Sequence, residues 1–358
     1  MAGERRARIG VIGAGWWATY AHLPSLTSYP RAELVALADP TPERLSQAAE
    51  AFGVERTYAD YRAMLERERL DGVVVATPHA THAAIARDVL AHDLALMLEK
   101  PMVLHASEAR ELRDLAIARH VPLVIGYPYH FIPQHQLLRQ RIADGALGNL
   151  QLVDSLFASM VLEYYRANPH AYQAAFNWSV TGPLATTYSD PDIAGGGQGH
   201  LQMTHSVALL LWLTDLRPGE VFALMEKFDV RVDLVDALSV RFEGGALGSL
   251  ASTGAISAPQ SGHQQLEYRL YGSQGYALLD AMAGTCSIFG NDGAVEVLPP
   301  TPADQLYPKE LTSRHLVDIL LDGVPNQSPA EIGVRTVELL EAAYRSAAEH
   351  RLVRTSEL

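Results

Sequence analysis

The sequence predicts an α/β protein: a doubly wound parallel sheet first, then an α+β domain built on an open, mainly antiparallel sheet. Three observations carry that expectation. Apolar strands alternate with amphipathic helical patterns from the N-terminus to about Gly126. After about Pro128 the order changes to short strands parted by turns such as Glu243-Gly244-Gly245 and Gly272-Ser273-Gln274-Gly275. The length of 358 residues suffices for about two domains, each with its own core. The division is expected at 1–128 and 129–358.

The first strand, Arg8-Ile9-Gly10-Val11-Ile12, breaks directly into Gly13-Ala14-Gly15-Trp16-Trp17-Ala18. Gly13 permits the tight turn, Gly15 lets backbone N–H groups approach a pyrophosphate, and Ala18 lets the next helix pack closely. That helix directs its positive end at the phosphates. This is the Rossmann dinucleotide fingerprint, although alone it also fits a glycine turn without function. Trp16 and Trp17 are placed to wall the cofactor cleft. The second strand, Ala32–Ala38, ends on Asp39, a little over ~20 residues past the glycines, where a ribose-binding acid is expected. Its carboxylate would accept both adenosine ribose hydroxyls and repel a 2′-phosphate. Arg44, on the helix that Pro42 opens and Gly53 closes, pulls toward the 2′-phosphate instead. The balance favours NAD over NADP.

A third strand, Gly72–Ala76, ends in Thr77-Pro78-His79, and a fourth, Leu94–Leu98, ends in Glu99-Lys100-Pro101. A helix near 107–119 leads to Val121–Gly126 and Tyr127. Ligands of such sheets bind beyond the carboxyl ends of the strands, which places Thr77, Pro78, His79, Glu99, Lys100 and Tyr127 in the site. Lys100 is singled out further. Of the 28 basic residues only Lys100, Lys227 and Lys309 are lysines. A lysine can lose its proton when desolvated, whereas arginine stays charged. The plain alternative for Lys100 is an ion pair with Glu99.

The second half reads as a helix over 133–144, then strands near 150–161, 219–228, 235–243, 246–254, 264–272 and 276–280. Helices follow the same reading at about 200–214, 309–322 and 330–350. A long segment from Glu163 to Gly199 separates the first two strands, and its aromatic content argues for order. Tyr164, Tyr165, Tyr172, Trp178 and Tyr188 either offer flat faces to a sugar ring or close the segment onto the sheet.

Composition narrows the function. A net charge of −13 excludes nucleic acid and anionic membrane as expected partners, since both demand a basic surface. No apolar run approaches the ~20 residues of a membrane span. The N-terminal Glu4-Arg5-Arg6-Ala7-Arg8 runs straight into the first strand with no signal-peptide core. Cys286 is the only cysteine, so no disulfide forms within the chain, and the cytoplasm is the expected compartment.

Taken together, Gly13-Ala14-Gly15, Ala38-Asp39, Ala76-Thr77-Pro78 with His82, Glu99-Lys100-Pro101, Gly195-Gly196-Gly197 and the helix carrying His205 and Trp212 resemble the Gfo/Idh/MocA oxidoreductase family along essentially the whole chain. The resemblance implies a Rossmann domain followed by a domain whose open sheet covers the active site on one face. The other face builds a homodimer or homotetramer. It also implies hydride transfer between a nicotinamide and a secondary alcohol of a sugar, glycoside or cyclitol, with Ala14 and His82 in the cofactor set. Lys100 takes the place of the family's lysine, which hydrogen-bonds the reacting oxygen. His205 takes that of the catalytic histidine, whose unperturbed pKa of about 6.5 suits proton exchange.

Two departures stand out. Many relatives carry an aspartate four residues before that histidine, and Leu201 stands there, with Gln198, His200 and Gln202 as the nearest polar residues. Either His205 works without an acid, or Asp190 or Asp192 supplies one; those aspartates equally suit a turn around Pro191. Relatives often have an Asn-Arg pair where this chain reads Tyr127-Pro128-Tyr129-His130-Phe131. Tyr129, Tyr164, Tyr188, Asp190 and Gln202 are therefore the candidate substrate contacts. His200 and His205 share no helix face and no third ligand accompanies them, so no metal is expected. Two other uses of the same site remain: an NAD-retaining glycosidase working by transient oxidation, and a catalytically silent nucleotide sensor.

Overall fold

The computed structural model describes residues 5–178 and 180–358. Six strands make the first sheet: β1 (Ala7–Ile12), β2 (Ala32–Ala38), β3 (Arg56–Tyr58), β4 (Gly72–Val75), β5 (Ala95–Leu98) and β6 (Leu123–Ile125). Their order is β3-β2-β1-β4-β5-β6, and every neighbouring pair is parallel. Strands covered on both faces need continuous apolar runs, and β4 and β5 are buried at every residue. The chain reverses its winding between β1 and β4, which opens a crevice at their carboxyl ends.

One face of this sheet packs on the His82–Ala91 and Ala106–Arg119 helices through Ile85, Val89, Leu90 and Leu112. The other face is covered by Leu23, Leu26 and Leu45, and by Leu316 and Val317 of the distant Leu311–Asp322 helix. The N–H of Ile125 also donates to the Ser328 carbonyl at 2.9 Å. The first layer therefore draws on residues far beyond position 128.

The second sheet has nine strands: β7 (Leu150–Ala158), β8 (Pro218–Glu226), β9 (Val235–Phe242), β10 (Leu247–Thr253), β11 (Gln265–Gly272), β12 (Gly275–Asp280), β13 (Thr285–Gly290), β14 (Val295–Val297) and β15 (Val353–Arg354). Their order is β14-β13-β12-β11-β7-β10-β9-β8-β15, and all pairs are antiparallel except β7 with β10. Strict alternation in β9, with Asp236, Leu238, Val240 and Phe242 inward, sets one face against the helices Thr204–Thr214 and Ala330–Glu349. The opposite face keeps Phe222, Leu224, Leu152, Leu247 and Tyr271 exposed.

Two helices open with a wide π-turn where a regular α-helix was expected. One spans Ala18–His22, after the glycine turn, and the other spans Gly199–Met203, ahead of His205. Such turns concentrate at functional sites because they shift side chains out of α-helical register. The segment between β7 and the second π-turn folds into short helices at Leu162–Tyr165, Gln173–Phe176, Thr186–Ser189 and Pro191–Ala194. Among the described residues, no helix is long and apolar enough to cross a membrane.

Candidate active site

A cavity of about 930 Å³ runs from the carboxyl ends of the first sheet into the second domain. At its outer end the β1 turn is built for close approach. Gly13 adopts φ +101°, and a Cβ there would run into the Ala76 carbonyl. Gly15 faces open space, with nothing within 4 Å of where its Cβ would stand. The buried Asp39 carboxylate is held from two sides: Oδ2 accepts the Ala14 N–H and Oδ1 the Thr41 N–H, both at 2.8 Å. Each oxygen keeps a lone pair toward the cavity, whose wall here also includes Arg44 and Asp60. An open glycine cradle beside an oriented ribose acid fits a dinucleotide.

Deeper in, Glu99 and Lys100 follow β5. The Glu99 carboxylate accepts from Trp17 Nε1 and His22 Nε2, each at 2.9 Å, and from the Lys100 N–H at 3.1 Å. Burial alone would raise its pKa, but the His22 hydrogen bond and charge bring it below the ordinary value. Glu99 is thus spent on anchoring. Lys100 does not pair with it: Nζ donates instead to the Leu201 carbonyl at 2.8 Å. Burial pushes the Lys100 pKa down to about 8, against the opposing pull of Glu99.

His205 reaches the same cavity from the second domain. Its ring sits among Tyr127, Tyr129 and Tyr307, with centroids 6.2, 5.8 and 5.9 Å away, and its Nδ1 is sealed from water without a partner. Burial, then the nearby Lys100 charge, lower its pKa well below the ordinary histidine value. Nε2 is left as the nitrogen that can exchange a proton with a bound molecule.

The His205 helix is held at its start by Asp233. Oδ1 accepts the Gly197 N–H at 2.7 Å and the Tyr344 hydroxyl at 2.9 Å, while Oδ2 accepts the Gly199 N–H at 2.8 Å. A Cβ on Gly197 would run into the Asp233 backbone, which accounts for glycine at this position. Asp236 lies beside Asp233; burial and that neighbouring charge raise its pKa well above the usual carboxylate range. Neither Asp236 carboxyl oxygen has a hydrogen-bond partner among the described residues, which fits a neutral rather than an ionised group.

The long segment between the domains crosses the glycine turn. Trp16 Nε1 donates to the Tyr188 hydroxyl at 2.8 Å, and Thr19 and Thr181 share a hydroxyl contact at 3.1 Å. Trp16 packs against Tyr164, Phe176, Trp178 and Tyr188 with centroids 5.6–6.3 Å apart. Of the expected aromatics Tyr164 and Tyr188 line the cavity while Tyr165, Tyr172 and Trp178 do not, and Phe176 joins the lining unforeseen.

Four of the expected site residues stand off the cavity wall. Tyr127 turns inward after β6; its hydroxyl meets the Thr204 hydroxyl at 3.3 Å, and burial pushes its pKa up to about 12. His82 is a staple, its two ring nitrogens against the Pro101 and Thr77 carbonyls at 2.8 and 3.0 Å. The Ala14 N–H is spent on Asp39. Asp190 caps the Pro191–Ala194 turn by accepting the Asp192 N–H and sits 3.9 Å from Arg231, so it is no partner for His205. The other predicted residues line the cavity: Gly13, Gly15, Trp16, Trp17, Asp39, Arg44, Thr77, Pro78, His79, Glu99, Lys100, Tyr129, Tyr164, Tyr188, Gln202 and His205. His79 additionally ties its Nδ1 to the Ala194 carbonyl at 2.8 Å. His22, Asp233, Gln264 and Tyr307 were not foreseen. Each lies far along the chain from the motif it serves, and no spacing rule marks it.

Comparison with known proteins settles the family. Residues 7–127 match the model described as "Oxidoreductase family, NAD-binding Rossmann fold", and residues 135–278 match the GFO/IDH/MocA C-terminal domain. The chain belongs to the Gfo/Idh/MocA oxidoreductase family. Among its relatives, the rhizopine catabolism protein MocA of Rhizobium meliloti is 32% identical over 215 residues, 60% of this chain and 59% of MocA. Levoglucosan dehydrogenase of Pseudarthrobacter phenanthrenivorans is 26% identical over 268 residues, 68% of this chain and 67% of its own length. The chain thus aligns with about three fifths of MocA. Among solved structures, GenD2 from gentamicin A biosynthesis, in complex with NAD, superposes with a TM-score of 0.78 at 27% identity, covering 98% of this chain and 96% of GenD2. At Leu201 the main-chain carbonyl receives the Lys100 ammonium.

Proposed function

We propose that this Gfo/Idh/MocA protein is an NAD-dependent dehydrogenase of a secondary alcohol on a carbohydrate or cyclic polyol. One observation carries the reading: Lys100 from the first domain and His205 from the second line a single cavity whose far end is the Gly13, Gly15 and Asp39 cradle. The sugar class is supported by the relative named levoglucosan dehydrogenase.

Gly13, Gly15, Thr77 and Asp39 would hold the dinucleotide, and its nicotinamide supplies the hydride acceptor for the carbinol carbon. The chain's own groups handle the hydroxyl. The Lys100 ammonium donates to the reacting oxygen and stabilises the developing alkoxide. The neutral His205 ring takes the hydroxyl proton at Nε2 in oxidation and returns it in reduction. Tyr129, Tyr307 and Tyr164 exclude water around that exchange. Asp39 and Asp60 on the adenosine wall favour NAD over NADP, with Arg44 the single opposing charge there.

A sugar and polyol panel with NAD or NADP, followed at the nicotinamide absorbance, tests this. Net NADH formation supports it. Released sugar without NADH would favour transient-oxidation glycosidase chemistry, and a preference for NADP would refute the Asp39 argument. The apolar outer face of the second sheet, with Phe222, Leu224 and Leu247 exposed, supports a homodimer or homotetramer built there. Sedimentation of the parent and of Leu247→Glu checks this: the variant should fall apart to smaller species.

A further inference from the structure

The wall that faces the Lys100–His205 pair is poor in charged groups. Among the described residues, no aspartate, glutamate, lysine or arginine lines the cavity from position 129 onward. Phe157 and Met160 come from the end of β7, Met282 from the β12–β13 turn, and Leu306 with Tyr307 from the loop before the Leu311–Asp322 helix. The charged groups of the cavity lie elsewhere: Asp39, Arg44 and Asp60 at the adenosine end, and Glu99 already engaged by three donors.

The polar side chains on this wall are uncharged, and they include the Tyr129, Thr187 and Tyr307 hydroxyls. Among the described residues the Gln202 side chain makes no hydrogen bond, while the Gln264 side chain is engaged through Oε1, which accepts the Met160 N–H at 3.3 Å. The Tyr164 ring lines the cavity, but its hydroxyl is sealed away behind it without a partner. A free hexose or cyclitol would bring a hydroxyl on nearly every carbon, and those that meet Phe157, Met160, Met282 and Leu306 would be left unpaired. Unpaired buried hydroxyls are penalised strongly.

Resting on the dehydrogenase reading above, we propose that the substrate is an uncharged glycoside bearing a bulky apolar aglycone, aryl or alkyl, rather than a free sugar, sugar acid or sugar phosphate. The reacting ring sits between Lys100 and His205, with Gln202, Gln264 and the Tyr129 and Tyr307 hydroxyls meeting its remaining hydroxyls. The aglycone packs on Phe157, Met160, Met282 and Leu306.

Calorimetric titration into the NADH-saturated protein tests this independently of turnover. The probes are matched methyl and phenyl β-glycosides of glucose, galactose and xylose, with glucose, glucuronate and glucose 6-phosphate beside them. Withdrawing about 55 Å² of apolar surface from water brings about tenfold in affinity, and a phenyl ring offers more than that. In at least one pair the phenyl glycoside should therefore bind at least tenfold more tightly than the methyl glycoside, and glucuronate and glucose 6-phosphate should not bind. In Met282→Glu that advantage should fall below about threefold while NADH affinity, read by its fluorescence, stays unchanged. Equal affinities in all three pairs, no binding of any phenyl glycoside, or glucuronate or phosphate binding as tightly would overturn the proposal. Phenyl-glycoside binding without oxidation would instead remove the dehydrogenase reading and leave this assignment standing.

Discussion

Replacing Lys100 by methionine should damage turnover and strengthen the fold at once. Burial lowers the Lys100 pKa to about 8, so keeping its charge inside the folded chain costs about 3 kcal/mol at pH 7. The folded chain binds this proton more weakly than the unfolded chain. Stability from this group is therefore lowest below about pH 8 and recovers as pH rises toward ~10.4, where the unfolded lysine also loses its proton. Lys100→Met removes the charge and keeps an unbranched stem, but it leaves the Leu201 carbonyl without its 2.8 Å donor, a loss of about 1–2 kcal/mol. The net gain at pH 7 is about 1–2 kcal/mol, a rise of a few degrees in Tm. Calorimetry of parent and variant at pH 7 and pH 10 reads it, and the gap should shrink or reverse at pH 10. Loss of an ammonium that stabilises alkoxide charge should lower kcat roughly 10²–10³-fold. In the parent, kcat for alcohol oxidation should fall as pH rises past about 8, because the neutral amine no longer stabilises the alkoxide. A Lys100→Met protein that is less stable at pH 7, or that keeps its parent kcat, refutes the reasoning. A parent kcat that climbs through pH 8 would instead make Lys100 the base.

Three further outcomes follow from the geometry. Asp39→Ala removes the carboxylate that disfavours a 2′-phosphate, so the NAD-to-NADP ratio of kcat/KM should drop at least tenfold. A small loss of Tm should accompany it, since the Ala14 and Thr41 N–H groups lose their acceptor. Gly197→Ala forces the start of the His205 helix away from Asp233; kcat should fall about a hundredfold with NADH affinity intact, as binding and single-turnover measurements would show. Burial pushes the Cys286 thiol up to about 12. A thiol reagent at pH 8 should therefore label it only as fast as the chain unfolds, and immediate labelling of native protein would contradict its placement.

Periodicity and turn chemistry made the two sheets legible because their central strands are long, apolar or strictly alternating, as β4 and β9 are. The strands that escaped notice have little such signal: β3 is mostly exposed, β13 buries only Cys286 and Ile288, β14 spans three residues and β15 two. Gly13, Asp39 and Lys100 were readable because each sits at a strand end, where topology alone assigns a place. Tyr127 and Tyr129 show the limit of that reasoning. Both follow β6, yet the tight Pro128–Phe131 turn sends one hydroxyl toward Thr204 and the other ring to the cavity. Neither π-turn has a sequence signature, so the acceptor for Lys100 was sought among side chains when the Leu201 main chain provides it. Asp233 supports the helix start from 36 residues downstream, in a loop whose spacing carries no mark.

The anchoring of His205 through Asp233 fixes it to the second sheet, while Lys100 is rooted in the first. Lys100 and His205 are therefore rooted in different sheets, and their separation depends on how the two sheets pack together through the shared core. A tilt that shifted one wall by about 1 Å would cost roughly a hundredfold in rate without unfolding anything. Helix Leu311–Asp322 returns from the second half of the chain to lie on the first sheet, and so ties the two halves together there. Substitutions at Leu316 or Val317, buried and remote from the chemistry, should read out in kcat as misalignment before they read out as loss of structure.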